Sequence, residues 1–277
     1  MRKAVNIILA LCIFISCTNI AYEKRIDCPY KLHLNLSKCS KDIKELQIWF
    51  FNDQNHFLIK DTIPKSKLGH IYEFNANGKS VKYYIWANIS KNTKIREIFT
   101  QETLLEKIEY KNNDSLYYYS NEIETQELAD IYDTVFLSRQ YANVNLDIIG
   151  YFINKEINIE TITESSAYYL NANIYHKESS MHYKPLMQTA EYCNFKYTIY
   201  RQNNIKSLRI QVNVSNNSKN ELYSKEIAIG EILHKNGYDM LKKDLDDIYL
   251  SLDLRSGNIN IKSGNWSHTE KIDIIFS

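Results

Sequence analysis

Hydrophobic and polar residues alternate with a period of two along several short stretches of the chain. Successive side chains of a β-strand point to opposite faces, so each such stretch predicts a strand with one buried face. The first stretch carries four apolar residues on one face, namely Tyr30, Leu32, Leu34 and Leu36. Later stretches of the same kind begin at Leu46, Tyr72, Val81, Ala142, Leu208, Ile248, Ile259 and Ile272.

Turn-forming residues separate some of these stretches. Asn77-Gly78 predicts a type I′ hairpin, because both residues tolerate the positive φ that this turn requires. Ser256-Gly257-Asn258 predicts a second hairpin near the C-terminus. Between them, Thr103 to Glu106 has the spacing of a capping box and predicts one short helix around Leu104, Leu105 and Ile108.

Many short strands separated by turns predict an all-β fold rather than a parallel α/β fold. The length of 277 residues allows two domains. We expect two tandem antiparallel β-sandwiches with short helical segments, one over residues 28–130 and one over residues 131–277. The polar, acidic stretch 121–133 is the expected link between them.

The N-terminus has the pattern of an export signal. Met1-Arg2-Lys3 is positively charged, and the apolar run 4–15 that follows is too short to cross a bilayer as a helix. The run ends in Ser16-Cys17, which resembles the lipobox of bacterial lipoproteins. We expect residues 1–16 to be a signal peptide, Cys17 to carry the lipid, and residues 17–27 to be a tether; the alternative is an ordinary signal peptide with a chance cysteine.

Charge and motifs argue against several function classes. Lysine plus arginine number 34 and aspartate plus glutamate number 33, so nothing favours a nucleic-acid partner. The sequence has no Gly-rich phosphate loop, no Gly-x-Ser-x-Gly elbow and no His-Glu-x-x-His motif, and its seven histidines are scattered. We therefore expect no catalytic residue, no metal ion, no cofactor and a non-enzymatic role.

Two cysteines flank the first predicted strand. Cys28 and Cys39 could form a disulfide in an exported protein, which meets an oxidising compartment. Two half-buried thiols at neighbouring strand ends explain the same residues equally well.

Six segments, taken in order, resemble the fimbrillin-associated anchor proteins of Bacteroidota, and the resemblance covers nearly the whole chain after Cys17. The early segments are Cys28-Pro-Tyr-Lys-Leu-His-Leu, Leu46-Gln-Ile-Trp-Phe-Phe-Asn-Asp and Tyr83-Tyr-Ile-Trp-Ala-Asn. The later ones are Asp114-Ser-Leu-Tyr-Tyr-Tyr, Val135-Phe-Leu-Ser-Arg-Gln-Tyr-Ala-Asn-Val and the span from Ile229-Gly-Glu to Asp253, with Trp266 after it.

The resemblance implies a lipoprotein with two transthyretin-like β-sandwich domains, attached through Cys17 to the outer membrane and exposed at the cell surface. Such proteins tether a fimbria, so the implied partners are fimbrial stalk or accessory subunits. Related subunits lose an N-terminal strand and accept one from a neighbour, which satisfies the open sheet edge. An anchor should keep its own first strand, which here is the strand of Tyr30, Leu32, Leu34 and Leu36.

On the same reading, the C-terminal residues Ile272, Ile274 and Phe276 are candidates for contact with the adjoining subunit; the alternative is a closing strand of their own sandwich. Thr62, Ser115 and Thr134 each follow an aspartate and precede an aliphatic residue. That pattern matches O-glycosylation sites of Bacteroidota, so these three hydroxyls are candidate modification sites.

Two other functions are open at this stage. A surface glycan-binding lipoprotein would also be built of β-sandwiches and would need a solvent-facing Tyr or Trp in a groove; the chain has 22 tyrosines. A lipid-anchored hydrolase would need a pocket with convergent carboxylates, for which the sequence offers no motif.

Overall fold

The computed structural model describes residues 30–39, 42–76, 78–97, 99–108, 114–124, 130–165, 167–263 and 266–271. These residues are mostly β-structure. The strands of the first half are β1 (Tyr30–Asn35), β2 (Glu45–Asn52), β3 (Phe57–Pro64), β4 (Ile71–Ala76), β5 (Ser80–Ala87), β6 (Thr93–Arg96), β7 (Leu104–Lys107), β8 (Tyr117–Glu124), β9 (Asp130–Thr134) and β10 (Ser138–Arg139).

The second half continues in the same manner. Its strands are β11 (Tyr141–Ile149), β12 (Lys155–Thr163), β13 (Ala167–Tyr169), β14 (Ile174–Tyr175), β15 (Ser179–Tyr183), β16 (Met187–Gln188), β17 (Tyr192–Tyr200), β18 (Arg209–Asn216), β19 (Glu221–Ile227), β20 (Ile248–Asp253), β21 (Asn258–Ser263) and β22 (Trp266–Lys271). The helical segments described are short: α1 (Ile229–Lys235) and 3₁₀ turns at Lys65–Lys67 and Ile205–Ser207.

The described strands form five sheets. Their strand orders are β4-β1-β9, β10-β8-β5-β2-β3, β16-β17-β11-β20-β21-β22, β15-β12-β18-β19 and β14-β13-β7-β6. Neighbouring strands with a described register are antiparallel, except that β9 runs parallel to β1 and β20 runs parallel to β11. The all-β sandwich prediction is confirmed.

The described residues group into two compact units. The first unit contains the described residues up to Ile85 together with Tyr119–Phe136, and the second contains Trp86–Tyr118 and the described residues from Leu137 onward. The units thus interleave along the sequence, whereas the sequence predicted one boundary between residues 130 and 131. The division into independently folding domains at residues 28–130 and 131–277 stays a prediction.

In the first unit, aromatic rings fill the space between two sheets. The Phe50 ring, on β2, stacks on the Phe74 ring of β4 with 3.9 Å between centroids, and it lies 5.9 Å from the Tyr83 ring of β5. Trp49 and Phe51 are buried as well. This confirms that β2 is apolar on both faces.

In the second unit, one hydrophobic core lies between the six-stranded sheet and the β15-β12-β18-β19 sheet. The alternating residues of the predicted strands supply it, for example Val144 and Leu146 from β11 and Val212 from β18. The hairpin predicted around Gly257 is confirmed as the antiparallel pair β20–β21.

The hairpin predicted at Asn77-Gly78 is wrong. β4 pairs with β1, and β5 lies between β2 and β8 in the other sheet, so the connection passes from one sheet to the next. Gly78 has a φ of +104°, as an Asn-Gly turn requires. Positive φ serves a connection between sheets as well as a hairpin, and the partners of the two strands decide which one forms.

The link predicted over residues 121–133 is also wrong where the structure describes it. β8 extends to Glu124, and β9 begins at Asp130. From Tyr119 to Glu124, the residues of β8 alternate between half-buried and exposed positions. A strand with one solvated face carries many polar side chains, so its sequence resembles that of a linker.

The short helix predicted at residues 103–106 is a strand. β7 pairs with β6 on one side and with β13 on the other. Leu105 and Lys107 are its buried residues. A single helical turn is marginal in water, and two flanking strands satisfy the backbone of β7 instead.

Burial of Lys107 gives the unfolding equilibrium a specific pH dependence. The side chain is 8% exposed, and no described acidic group pairs with it. Burial lowers the pKa of Lys107 to about 7. The unfolded chain keeps this proton up to about pH 10, so between pH 7 and 10 the unfolded state binds more protons and the free energy of unfolding rises with pH.

Lys107→Met should therefore raise the melting temperature at pH 7 by about 3 °C or more, since about 1 kcal/mol shifts it by 2–4 °C in a chain of this size. The variant should also gain less stability than wild type between pH 7 and 9. Thermal melts at four pH values measure both, and parallel profiles for the two proteins would contradict the expectation.

Within the described residues, no helix has the length and apolar character needed to cross a bilayer.

Candidate assembly site

The first strand lies in the middle of a sheet. β1 pairs antiparallel with β4 and parallel with β9. Its ladder continues beyond the strand, because the Leu36 N–H donates to the His70 carbonyl at 3.3 Å and the Val135 N–H donates to the Asn35 carbonyl at 3.1 Å. Removing β1 would therefore leave two unpaired sheet edges facing one another.

The inward face of β1 is fully apolar. Tyr30, Leu32, Leu34 and Leu36 are all buried, as the alternation predicted. Each such side chain contributes about 1.5–3 kcal/mol through burial, which together is a large part of the 5–15 kcal/mol typical of a domain. Among the described residues, the Tyr30 hydroxyl has no hydrogen-bond partner, and burial raises the pKa of Tyr30 to about 12.

The outward face of β1 carries charged groups that reach both neighbouring strands. Lys31 Nζ lies 3.2 Å from a Glu73 carboxylate oxygen. The His33 ring nitrogens lie 3.4 Å from Glu73 and 3.3 Å from Asp130. The ring of His33 also stacks on that of Tyr132, with 4.5 Å between centroids. These contacts connect β1 to β4 and to β9 across the sheet.

A polar cluster fastens β9 to the opposite sheet. The Tyr119 hydroxyl and the Asn121 amide donate to Asp133 Oδ2 at 2.8 and 3.2 Å, and the Tyr83 hydroxyl donates to the same oxygen. Burial, the main cause, and the hydrogen bond to Asp133 raise the pKa of Tyr83 well above its usual value. Because Asp133 lies beside Leu34 in the sheet, the cluster holds the strand next to β1.

Sequence reasoning missed this cluster and the contacts of His33. From the sequence, Asp133 belonged to a modification pattern and to the predicted link, and Tyr119 belonged to one of the six resembling segments. Of the three residues that meet there, the sequence placed only Tyr83 on a predicted strand. Whether these three side chains meet depends on which strands face each other. The facing of strands is set by the tertiary fold and not by the local sequence.

Several predicted site residues lie outside the described residues. These are Cys17, Cys28, Ile272, Ile274 and Phe276. Cys39 is half-buried and carries a free thiol in the structure, and burial raises the pKa of Cys39 to about 11. The pairing of Cys28 with Cys39 stays a prediction.

The three candidate modification sites differ in access. Thr62 is exposed on β3, whereas Ser115 and Thr134 are half-buried. In two cases the preceding aspartate accepts a hydrogen bond from a tyrosine hydroxyl. Tyr72 donates to Asp61 at 2.8 Å, and Tyr119 donates to Asp133 at 2.8 Å. Access therefore favours Thr62, and glycosylation stays a prediction at all three.

Among the described residues, no group of three His, Cys, Asp or Glu side chains is arranged to hold a metal ion.

Comparison with known proteins gives a fold-level relationship. No family model and no curated protein matches the chain. The solved structure of the fimbrial anchor protein Mfa2 from Porphyromonas gingivalis aligns with a TM-score of 0.61 and 16% identity, over 87% of this chain and 99% of that one. This agrees with the fimbrial resemblance predicted from the sequence.

Two further structures align equally widely. A protein from Bacteroides thetaiotaomicron proposed to bind polysaccharide (DUF1812) has a TM-score of 0.66 and 12% identity, over 88% of this chain and 99% of that one. A proposed adhesin from Bacteroides ovatus has a TM-score of 0.60 and 14% identity, over 88% and 95%. At these identities the likeness establishes only the fold, which is a double β-sandwich shared with these three structures.

Proposed function

We propose that this protein is a non-enzymatic lipoprotein of the outer membrane that anchors or terminates a fimbria through contacts between β-strands. The observation that carries the proposal is the position of β1, which is paired on both sides and buries Tyr30, Leu32 and Leu34. The fold shared with a fimbrial anchor protein supports it.

The mechanism follows from the pairing of β1. A subunit that has lost its first strand would present two open ladders and an apolar groove, which a strand from a neighbour could fill. A subunit that keeps β1 offers no such groove at this position. It therefore ends the fibre on that side, and its contact with the stalk or an accessory subunit must use another segment, for which Ile272, Ile274 and Phe276 are our candidates.

The membrane attachment is proposed at Cys17. Tyr30 follows 13 residues after it (30 − 17), and an extended chain of that length reaches about 45 Å. A lipid on Cys17 would hold β1 within that distance of the outer membrane, at the cell surface.

Fibre retention on cells tests the proposal. In the native organism, deletion of the gene should release fibres into the medium, as counted by negative-stain microscopy of cells and supernatant. The wild-type gene should restore fibres to the cells, and Cys17→Ala should not, because it removes the thiol that carries the lipid. Labelling with an alkyne-tagged palmitate should mark wild type and fail to mark Cys17→Ala.

Cys39→Ser is the matched control, since it changes a cysteine that is not the lipid site; it should restore fibres and keep the label. Mass spectrometry of the mature protein should recover a peptide containing residues 30–36. Unchanged cell-bound fibres in the deletion strain would contradict the anchor function, and absence of that peptide would contradict the retained strand.

A further inference from the structure

The outer face of the six-stranded sheet has an unusual composition. Inward residues of β11, β17, β20 and β21 form the core, so the alternate residues face outward. Leaving out the terminal outward positions of β11 and β17, which hold Tyr141, Ile149, Tyr192 and Tyr200, the outward set is Asn143, Asn145, Asp147, Asn194, Lys196, Thr198, Tyr249, Ser251, Asp253, Asn258, Asn260 and Lys262. We call it the amide face.

Asn and Asp are disfavoured in strands, yet they occupy seven of these twelve positions, including the three successive outward positions 143, 145 and 147 in the middle of β11. Strand stability cannot explain that choice. The outward face of the other sheet in this unit instead carries ion pairs, such as Arg209 with Glu178 at 2.9 Å and with Glu226 at 3.6 Å.

Hydrogen bonds fix the orientation of the amides. Asn194 Nδ2 donates to Asn145 Oδ1 at 3.0 Å and to Asp147 Oδ1 at 2.6 Å. Within the described part of the chain, no side chain engages the remaining polar atoms, Asn145 Nδ2 and Asp147 Oδ2. The two residues are two apart on one strand, so their Cα atoms lie about 7 Å apart, and the strand presents a donor and an acceptor side by side on one face.

An open cleft lies at one end of the amide face. Its volume is about 390 Å³, and the residues that line it include Asn143, Asn145, Lys196, Thr198, Asp247 and Tyr249. Tyr249 is 48% exposed and lies directly beside Asn145 on the neighbouring strand. A solvent-facing tyrosine in a groove is the feature that glycan binding requires.

We infer that this cleft and the amide face beside it bind a neutral oligosaccharide. A sugar hydroxyl both donates and accepts, as each side-chain amide does, and a tyrosine ring packs against the C–H face of a pyranose. The amide face carries two lysines, Lys196 and Lys262, and two aspartates, Asp147 and Asp253, and Asp247 in the cleft pairs with Arg139. The formal charges therefore cancel, so a strongly charged ligand is disfavoured. The face presents side chains rather than an unpaired backbone edge, which disfavours an added peptide strand.

Isothermal titration calorimetry of the purified chain with maltohexaose, cellohexaose, mannohexaose and hexagalacturonate tests the site. At least one neutral hexasaccharide should bind, and hexagalacturonate, which carries a carboxylate on every ring, should not. Tyr249→Ala and Asn145→Ala should each weaken binding about tenfold. Tyr249→Phe keeps the ring and should lose less than about threefold.

Tyr151→Ala is the matched control, because Tyr151 is an exposed tyrosine of the same unit outside the amide face; it should bind like wild type. All variants change exposed or half-buried side chains and should melt near the wild-type temperature. No binding of any neutral hexasaccharide at millimolar concentration, preferential binding of hexagalacturonate, or equal affinity of wild type and Tyr249→Ala would each overturn the inference. Oligosaccharide binding and fibre retention are measured separately, so failure of this inference can be distinguished from failure of the proposed anchor function.

Discussion

Leu34→Asp is expected to prevent folding of the first unit. Leu34 is fully buried on the inward face of β1, whereas Lys31 of the same strand lies on the outward face and pairs with Glu73. Burying an unpaired charge and losing the leucine should cost more than about 5 kcal/mol, which equals the stability of many domains. Leu34→Ala should fold but lose about 3 kcal/mol.

Lys31→Gln is the matched control on the outward face of the same strand, where it removes one exposed ion pair worth less than about 1 kcal/mol. Near-ultraviolet circular dichroism and limited proteolysis would follow the first unit in all three variants. If Leu34→Asp resists protease like wild type, β1 is not the central strand that the structure describes. The anchor mechanism would then lose its basis.

Gly230→Ala is expected to destabilise the second unit strongly. Gly230 lies in α1, and a Cβ on it would stand 1.8 Å from the Ile205 carbonyl oxygen and 2.8 Å from the carbonyl carbon. These are backbone atoms, so a rotamer change cannot relieve the clash. The Gly230 N–H also donates to the Leu208 carbonyl at 2.8 Å. The helix would have to move away from the 3₁₀ turn, at a cost of about 3 kcal/mol or more.

Helix propensity alone gives the opposite sign, because alanine is favoured over glycine inside a helix by about 1 kcal/mol. The direction of the change in melting temperature therefore discriminates between the two effects. Glu231→Ala, at the next position and exposed, should change the melting temperature by no more than about 2 °C. A Gly230→Ala variant that melts at or above the wild-type temperature would show that α1 does not lie against residues 205–208.

The candidate site illustrates what local reasoning can reach. Alternation identified β1 and its four buried residues, because burial of one face imposes a period of two on the sequence. It did not identify Glu73 and Asp130 as the partners of His33, since those residues come from strands 40 and 97 positions away. The role of Tyr249 could not be predicted from the sequence either. The sequence shows only that Tyr249 is an outward residue of a strand, whereas its neighbours Asn145 and Lys196 in the folded chain make it part of a cleft.

The sequence by itself determined that this protein is an all-β chain, where eight of its described strands run and which side of those strands is buried. Those properties arise from short-range periodicity and side-chain chemistry. Tertiary structure alone decided that β4 joins β1 rather than β5, that β9 lies parallel to β1, and that Leu104–Lys107 extends as β7 rather than forming a helix. The physical reason is that backbone hydrogen bonds of a strand are satisfied by any strand of suitable length, so the choice of partner depends on the packing of the whole sandwich rather than on the segment itself.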